Sequence, residues 1–104
     1  MKVAVTQSIN CAHQLPGTEL HGHTYRVTVI RYGELAPDGM VIPLDRLAAH
    51  LDRVLRPIDH QRLEVVIGEP ATAERLAWHI KEAMPIPVVV RVQIGDGGYV
   101  ETEE

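Results

Sequence analysis

The sequence contains no phenylalanine, one tryptophan and three tyrosines. A core built from it must rely on valine, leucine, isoleucine and alanine, which suits thin layers of sheet and helix. With the single cysteine Cys11, no disulfide can form inside the chain, and any metal site has to draw chiefly on histidine, aspartate and glutamate. No apolar run is long enough to span a membrane. The chain opens on an alternating stretch over residues 2–9 instead of the apolar block of a signal peptide, which points to a cytoplasmic protein without a membrane partner. Lysine and arginine are scattered singly within a formal charge of -4, so the basic stripe that a phosphate backbone demands is missing and nucleic acid is not an expected partner. The 104 residues correspond to one domain, long enough for a real core yet short enough that self-association would help it bury surface.

What is present is mostly periodic. Val3, Val5, Ile9 and Cys11 fall on odd positions with Lys2, Thr6, Ser8 and Asn10 between them, the period of two of a half-buried strand. After the turn signal Pro16-Gly17, a second strand reads Tyr25, Val27 and Val29 against Arg26 and Thr28. Pro43 suits the first turn of a helix whose apolar stripe is Leu44, Leu47, Ala48, Leu51, Val54 and Leu55, and Pro57 stops it. Residues 58–68 read as a connection or a short turn of helix. Thr72 caps a further helix with the stripe Leu76, Ala77, Ile80, Ala83 and Met84. Val88, Val90, Val92 and Ile94 form a third strand, and the glycine-rich turn at 95–98 leads to a last one through Tyr99 and Val100. The order ββααββ predicts an α+β fold with helices gathered on one face of an antiparallel sheet.

His13, His21 and His23 share the odd parity of the apolar set. If the second strand reaches back to His21, all three imidazoles project to one face, with Gly22 leaving room between two of them. Zinc takes three or four donors at about 2.0–2.3 Å, and a catalytic site keeps one position open. Three neutral imidazoles retain the ion's full charge, as a Lewis-acid site requires. His50 and His79, each alone on a helix, carry no such signal.

These residues resemble those of the 6-pyruvoyl-tetrahydropterin synthases and the related 6-carboxytetrahydropterin synthases of queuosine-type deazapurine biosynthesis. The landmarks run in order from "AHQL" with His13 through "LHGHTY" with His21 and His23, "DGMVIPL", "IDHQRL" with Asp59 and His60, to "PATAERLA" at the second main helix. The resemblance implies a tunnelling fold (T-fold), an antiparallel four-stranded sheet with two helices on one face. It implies trimers closing a barrel and pairing into a hexamer, with sites between subunits. It implies Zn2+ held by His13, His21 and His23, a reduced pterin substrate such as 7,8-dihydroneopterin triphosphate, Asp59 and His60 as proton carriers, and Thr72 in the pterin pocket. The reaction it implies is proton abstraction followed by triphosphate elimination or side-chain cleavage.

The sequence also departs from that pattern. The family's cysteine before "LHGH" is absent; Pro16, Gly17, Thr18 and Glu19 stand there, and Glu19 is the candidate replacement base. Cys11 is a different position, read as a buried thiol or as one activated by the metal. Ile94 occupies the place of the glutamate that anchors the pterin ring, with Asp96 the nearest acid in the following turn, and Pro43 replaces an upstream acid, leaving Asp45 nearest. Three readings follow. The first is a zinc-dependent lyase of pterin metabolism; the second is a paralogue that binds zinc and a pterin or purine-like ligand without the standard turnover; the third is a different metal-assisted reaction on a related heterocycle.

Overall fold

The structure, a computed structural model, describes residues 1–103. Its elements are β1 (Lys2–His13), β2 (His21–Tyr32), α1 (Leu44–Leu55), the short α2 (Leu63–Ile67), α3 (Ala73–Ala83), β3 (Val89–Ile94) and β4 (Gly98–Glu101). The four strands form one antiparallel sheet in sequence order, β1-β2-β3-β4. This is the expected ββααββ arrangement, with α2 filling the segment read as a connection or short helical turn.

Register explains which face is buried. Ile9 pairs with Tyr25 and Tyr25 with Ile94, while Val27 pairs with Val92 and Val29 with Val90, so one apolar set lines a single face. The helices cover it. Leu47, Leu51 and Leu55 of α1, four residues apart, and Leu76, Ala77 and Ile80 of α3, with Ile80 four and three residues beyond the other two, are buried against it. Gln7 on the same face reaches Asp52 of α1 at 3.2 Å. The opposite face is polar and uncovered by helix, with Thr6 bonded to Thr28 at 2.8 Å and Thr24 donating to Asn10 at 2.6 Å. Of the four aromatics, only Tyr25 enters the core; Trp78, Tyr32 and Tyr99 are exposed.

Thr72 caps α3, its hydroxyl oxygen accepting the Arg75 N–H at 3.2 Å. The free edge of β1 is half closed by residues 59–64. Asn10 N–H donates to Asp59 Oδ1 at 2.9 Å, His60 N–H to the Asn10 carbonyl at 2.7 Å, and Ala12 N–H to the Gln61 carbonyl at 3.2 Å. Such a strap satisfies edge groups that would otherwise recruit another strand.

Leu51 is 1% exposed at the centre of the α1 stripe. Leu51→Ala is therefore expected to destabilise the fold by about 2–5 kcal/mol, through lost burial and a residual cavity. Urea unfolding monitored by circular dichroism measures it, and a loss below about 1 kcal/mol would place α1 outside the core.

Candidate metal centre

β1 ends on His13 and β2 begins on His21, and the pairing sets His13 opposite His21 and Cys11 opposite His23. The intervening loop is pinned by Thr18, whose hydroxyl donates to the Leu15 carbonyl at 2.8 Å, and it turns through Gly17 at φ +80°. His13 is buried, His23 half-buried, and His21 the most open of the three. Their ring centroids are 4.5, 4.9 and 4.7 Å apart with near-perpendicular planes. One nitrogen from each lies within 4.8 Å of the others. Gly22 does not create this space: a Cβ there would meet only the Cys11 carbonyl at 3.7 Å, an ordinary contact.

The tautomers are fixed by backbone. His13 Nδ1 lies 2.9 Å from the Ala71 carbonyl, and His21 Nδ1 lies 2.7 Å from the Glu19 carbonyl. A carbonyl can only accept, so both Nδ1 atoms carry protons, and in the neutral rings both Nε2 atoms hold lone pairs. Those two Nε2 atoms face each other at 2.9 Å. Two acceptors at that distance repel unless a proton or a metal cation lies between them. Tetrahedral zinc with bonds of about 2.0–2.1 Å sets two such nitrogens roughly 3.3 Å apart, so the pair needs to open by only a few tenths of an ångström. The donor set fits a divalent metal. Burial, and then the neighbouring His13 and His21, lower the pKa of His23, favouring the neutral form that ligates.

The other expected residues are distributed unequally around this cluster. Glu19 contributes its carbonyl to His21, while its side chain is exposed. Asp59 accepts from Asn10 N–H and lies 3.1 Å from His60 Nδ1. His60 adopts φ +61°, uncommon for a side-chain-bearing residue, and points its largely exposed ring outward. It borders an open cavity of about 460 Å³ whose wall also includes His23, Asn10 and Ala12. Thr72 follows Ala71, the residue that orients His13. Cys11 is buried and donates to the Ile58 carbonyl at 3.2 Å; burial first, and nearby Asp59, push its pKa up despite backbone hydrogen bonds, which favours an unreactive thiol. Ile94 lines a cavity of about 320 Å³ whose only carboxylate is Glu74, and Asp96 lies on the exposed β3–β4 turn.

Sequence reasoning missed three contributors. The Ala71 carbonyl holds His13, but a carbonyl leaves no mark in residue identity. Tyr25 is fully buried with its hydroxyl 3.5 Å from His13 Nδ1, and burial, with Cys11 and Glu64 nearby, raises its pKa to about 12. Glu64, with a side chain 7% exposed, accepts the Gln14 N–H beside His13; a glutamate five residues after Asp59 carried no recognisable motif.

The family model described as "6-pyruvoyl tetrahydropterin synthase" matches residues 2–95. The chain belongs to this family. It is 31% identical over 84 residues to the human 6-pyruvoyl tetrahydrobiopterin synthase, covering 71% of this chain and 58% of that one. Against the putative 6-carboxy-5,6,7,8-tetrahydropterin synthase of Archaeoglobus fulgidus the figures are 30% over 84 residues, 77% and 72%. Against the dihydroneopterin monophosphate aldolase of Pyrococcus furiosus they are 33% over 60 residues, 58% and 52%. The chain thus spans little more than half the length of the human relative. The 6-pyruvoyl tetrahydropterin synthase structure from Caenorhabditis elegans superposes with a TM-score of 0.83 at 21% identity, over 100% of this chain and 95% of that one. A Plasmodium vivax 6-pyruvoyltetrahydropterin synthase with its catalytic glutamate changed to alanine gives 0.78 at 18%, over 98% and 96%. These superpositions establish the T-fold for this chain.

A metal held by these three rings stabilises the folded state alone. Free zinc at about 100 times its dissociation constant is expected to add about 2.7 kcal/mol, read as a rise in melting temperature. His13→Ala removes the buried ligand and should abolish the rise. Acidification from about pH 7 to about pH 5 should reverse it in the unsubstituted protein, because imidazole must be neutral to bind. An unchanged melting temperature with zinc at neutral pH would refute the site.

Proposed function

We propose that this chain is a zinc-dependent lyase of pterin metabolism, acting on a dihydroneopterin-type substrate by proton abstraction beside the metal. The observation that carries the reading is the pair of lone-pair nitrogens on His13 and His21, 2.9 Å apart, each ring locked by a backbone carbonyl. With His23 they would hold the metal. Bound zinc would supply Lewis-acid stabilisation of the negative charge that develops on the substrate's side-chain oxygens.

The chain's own groups supply the proton chemistry. Asp59, 3.1 Å from His60 Nδ1, favours the tautomer with the proton on that nitrogen, which leaves Nε2 as the base. The hydrogen bond from His60 N–H to Asn10 holds the ring outward. Glu19 is the second candidate base, with an exposed carboxylate two residues from His21; the catalytic residue of the Plasmodium vivax relative is likewise a glutamate. The Thr72 hydroxyl accepts from Arg75, which leaves its O–H to donate to a ligand. On the β3 side Ile94 offers no acceptor, and Glu74 is the carboxylate available to the N–H edge of a ring.

His60 faces away from the core, and the polar face of the sheet is uncovered, which favours sites completed between copies in a hexamer built as a dimer of trimers. The absent family cysteine and the apolar Ile94 favour one alternative: a paralogue that binds zinc and a pterin or purine-like ligand without the standard turnover.

Zinc-loaded protein is expected to convert 7,8-dihydroneopterin triphosphate or 7,8-dihydroneopterin, followed by chromatography of the products. His60→Ala should lower the rate by about 10²–10⁴-fold, the usual contribution of a positioned acid or base, and Glu19→Ala by a comparable factor if it is the second carrier. Tight ligand binding at the background rate would favour the paralogue. Sedimentation at micromolar concentration is expected to show an assembly larger than a monomer, and a monomer would remove the basis for shared sites.

A further inference from the structure

Outside the histidines, Gln14, Arg62 and Glu64 form a mutually bonded cluster. The Glu64 side chain is 7% exposed. One carboxylate oxygen accepts the backbone N–H of Gln14, and the other lies 3.3 Å from Arg62 Nε. Arg62 also donates to the side-chain carbonyl of Gln14 at 3.2 Å. Burial acts to raise the Glu64 pKa, but hydrogen bonds from Gln14 N–H, from its own backbone and from Arg62 outweigh it, so the group stays below its ordinary value and ionised.

The position of this clamp gives it a consequence. Gln14 is the residue at which the chain leaves β1, directly after His13, and it opens the loop whose Glu19 carbonyl orients His21. The β1 edge N–H groups of Asn10, Ala12 and Gln14 are taken in turn by Asp59, Gln61 and Glu64. The third of these bonds follows directly on His13, and like the first it is made by a side-chain carboxylate.

We propose that Glu64 is a positioning residue for the metal centre. Through the Gln14 N–H it fixes the exit of β1, so that His13 and, through the loop, His21 are held in place before a metal arrives. This rests on the metal reading above. Groups that orient ligands without touching the metal typically govern affinity by about 10–100-fold. Because Gln14 is exposed, water can satisfy its N–H when the carboxylate is gone, so the cost should fall on preorganisation more than on folding.

The test is the zinc dissociation constant of the full chain, measured by competition with a chromogenic chelator, alongside the melting temperature of zinc-free protein. Glu64→Ala is expected to weaken zinc about tenfold while moving the zinc-free melting temperature by a few degrees or less. Glu64→Gln keeps an acceptor of the same reach and should retain most of the affinity. Glu64→Asp keeps the charge but withdraws it by one methylene, and should lose affinity as alanine does. The last two variants decide the matter even if the alanine variant folds poorly. Affinity within twofold of the parent for both Glu64→Ala and Glu64→Asp would overturn the proposal, as would retention by aspartate with loss by glutamine, since charge and not reach would then matter. A parent that binds no zinc would overturn the metal reading itself, and this inference with it.

Discussion

The arrangement depends on one constraint, the register of the β1–β2 hairpin. With His13 paired to His21, the side chains of both stand on the same face, and His23, two residues further along β2, falls there as well. A slip of one residue would send an entire strand's set to the other face. The long apolar ladder prevents it, because Ile9 on β1 and Tyr25, Val27 and Val29 on β2 are buried under the helices, and flipping either strand would expose its set. The hydrophobic core is thus what aligns the imidazoles, and the site inherits its precision from packing some distance away.

Register alone brings rings together; it does not choose which nitrogen each presents. That choice is made by the Ala71 carbonyl, just before α3, and the Glu19 carbonyl, in the β1–β2 loop. Ala71 is fully buried and immediately precedes the α3 cap. The docking of α3 therefore reaches His13 through a single backbone hydrogen bond. Outer partners of this kind raise ligand basicity and fix ring orientation, and here they cost the chain no specialised side chain.

Much of this was legible in the sequence. The odd-numbered parity of Val3 through His13 and of His21 through Val29 placed the three histidines on the buried face, because a strand's period is fixed by geometry and survives any tertiary context. Pro43, Pro57 and Thr72 marked helix limits for equally local reasons. The parts that escaped were non-local. Neither the Ala71 carbonyl nor the Gln14 N–H has a residue signature, and Glu64 looks like any helix-start acid until the strap lies on β1. Trp78 shows the same limit in reverse: its size suggests core, yet the α3 stripe is satisfied by Leu76, Ala77 and Ile80, which leaves the indole outside.

The strap over residues 59–64 is bonded along the β1 edge at both of its ends. At one end Asp59 and His60 are tied to Asn10, and at the other Glu64 is tied to Gln14, so the histidine-bearing end of β1 and the His60 imidazole share one hydrogen-bonded frame. His60 adopts a left-handed backbone that costs a non-glycine residue about 1–2 kcal/mol. The hydrogen bond at 2.7 Å from its N–H to Asn10 holds it there, and Asp59 holds its ring. Such strain persists only where the surroundings over-determine it. The ring it directs borders an open cavity on the uncovered face of the sheet, beside Asn10, Ala12 and Thr24. The strap that satisfies the β1 edge thereby also fixes where the His60 imidazole stands.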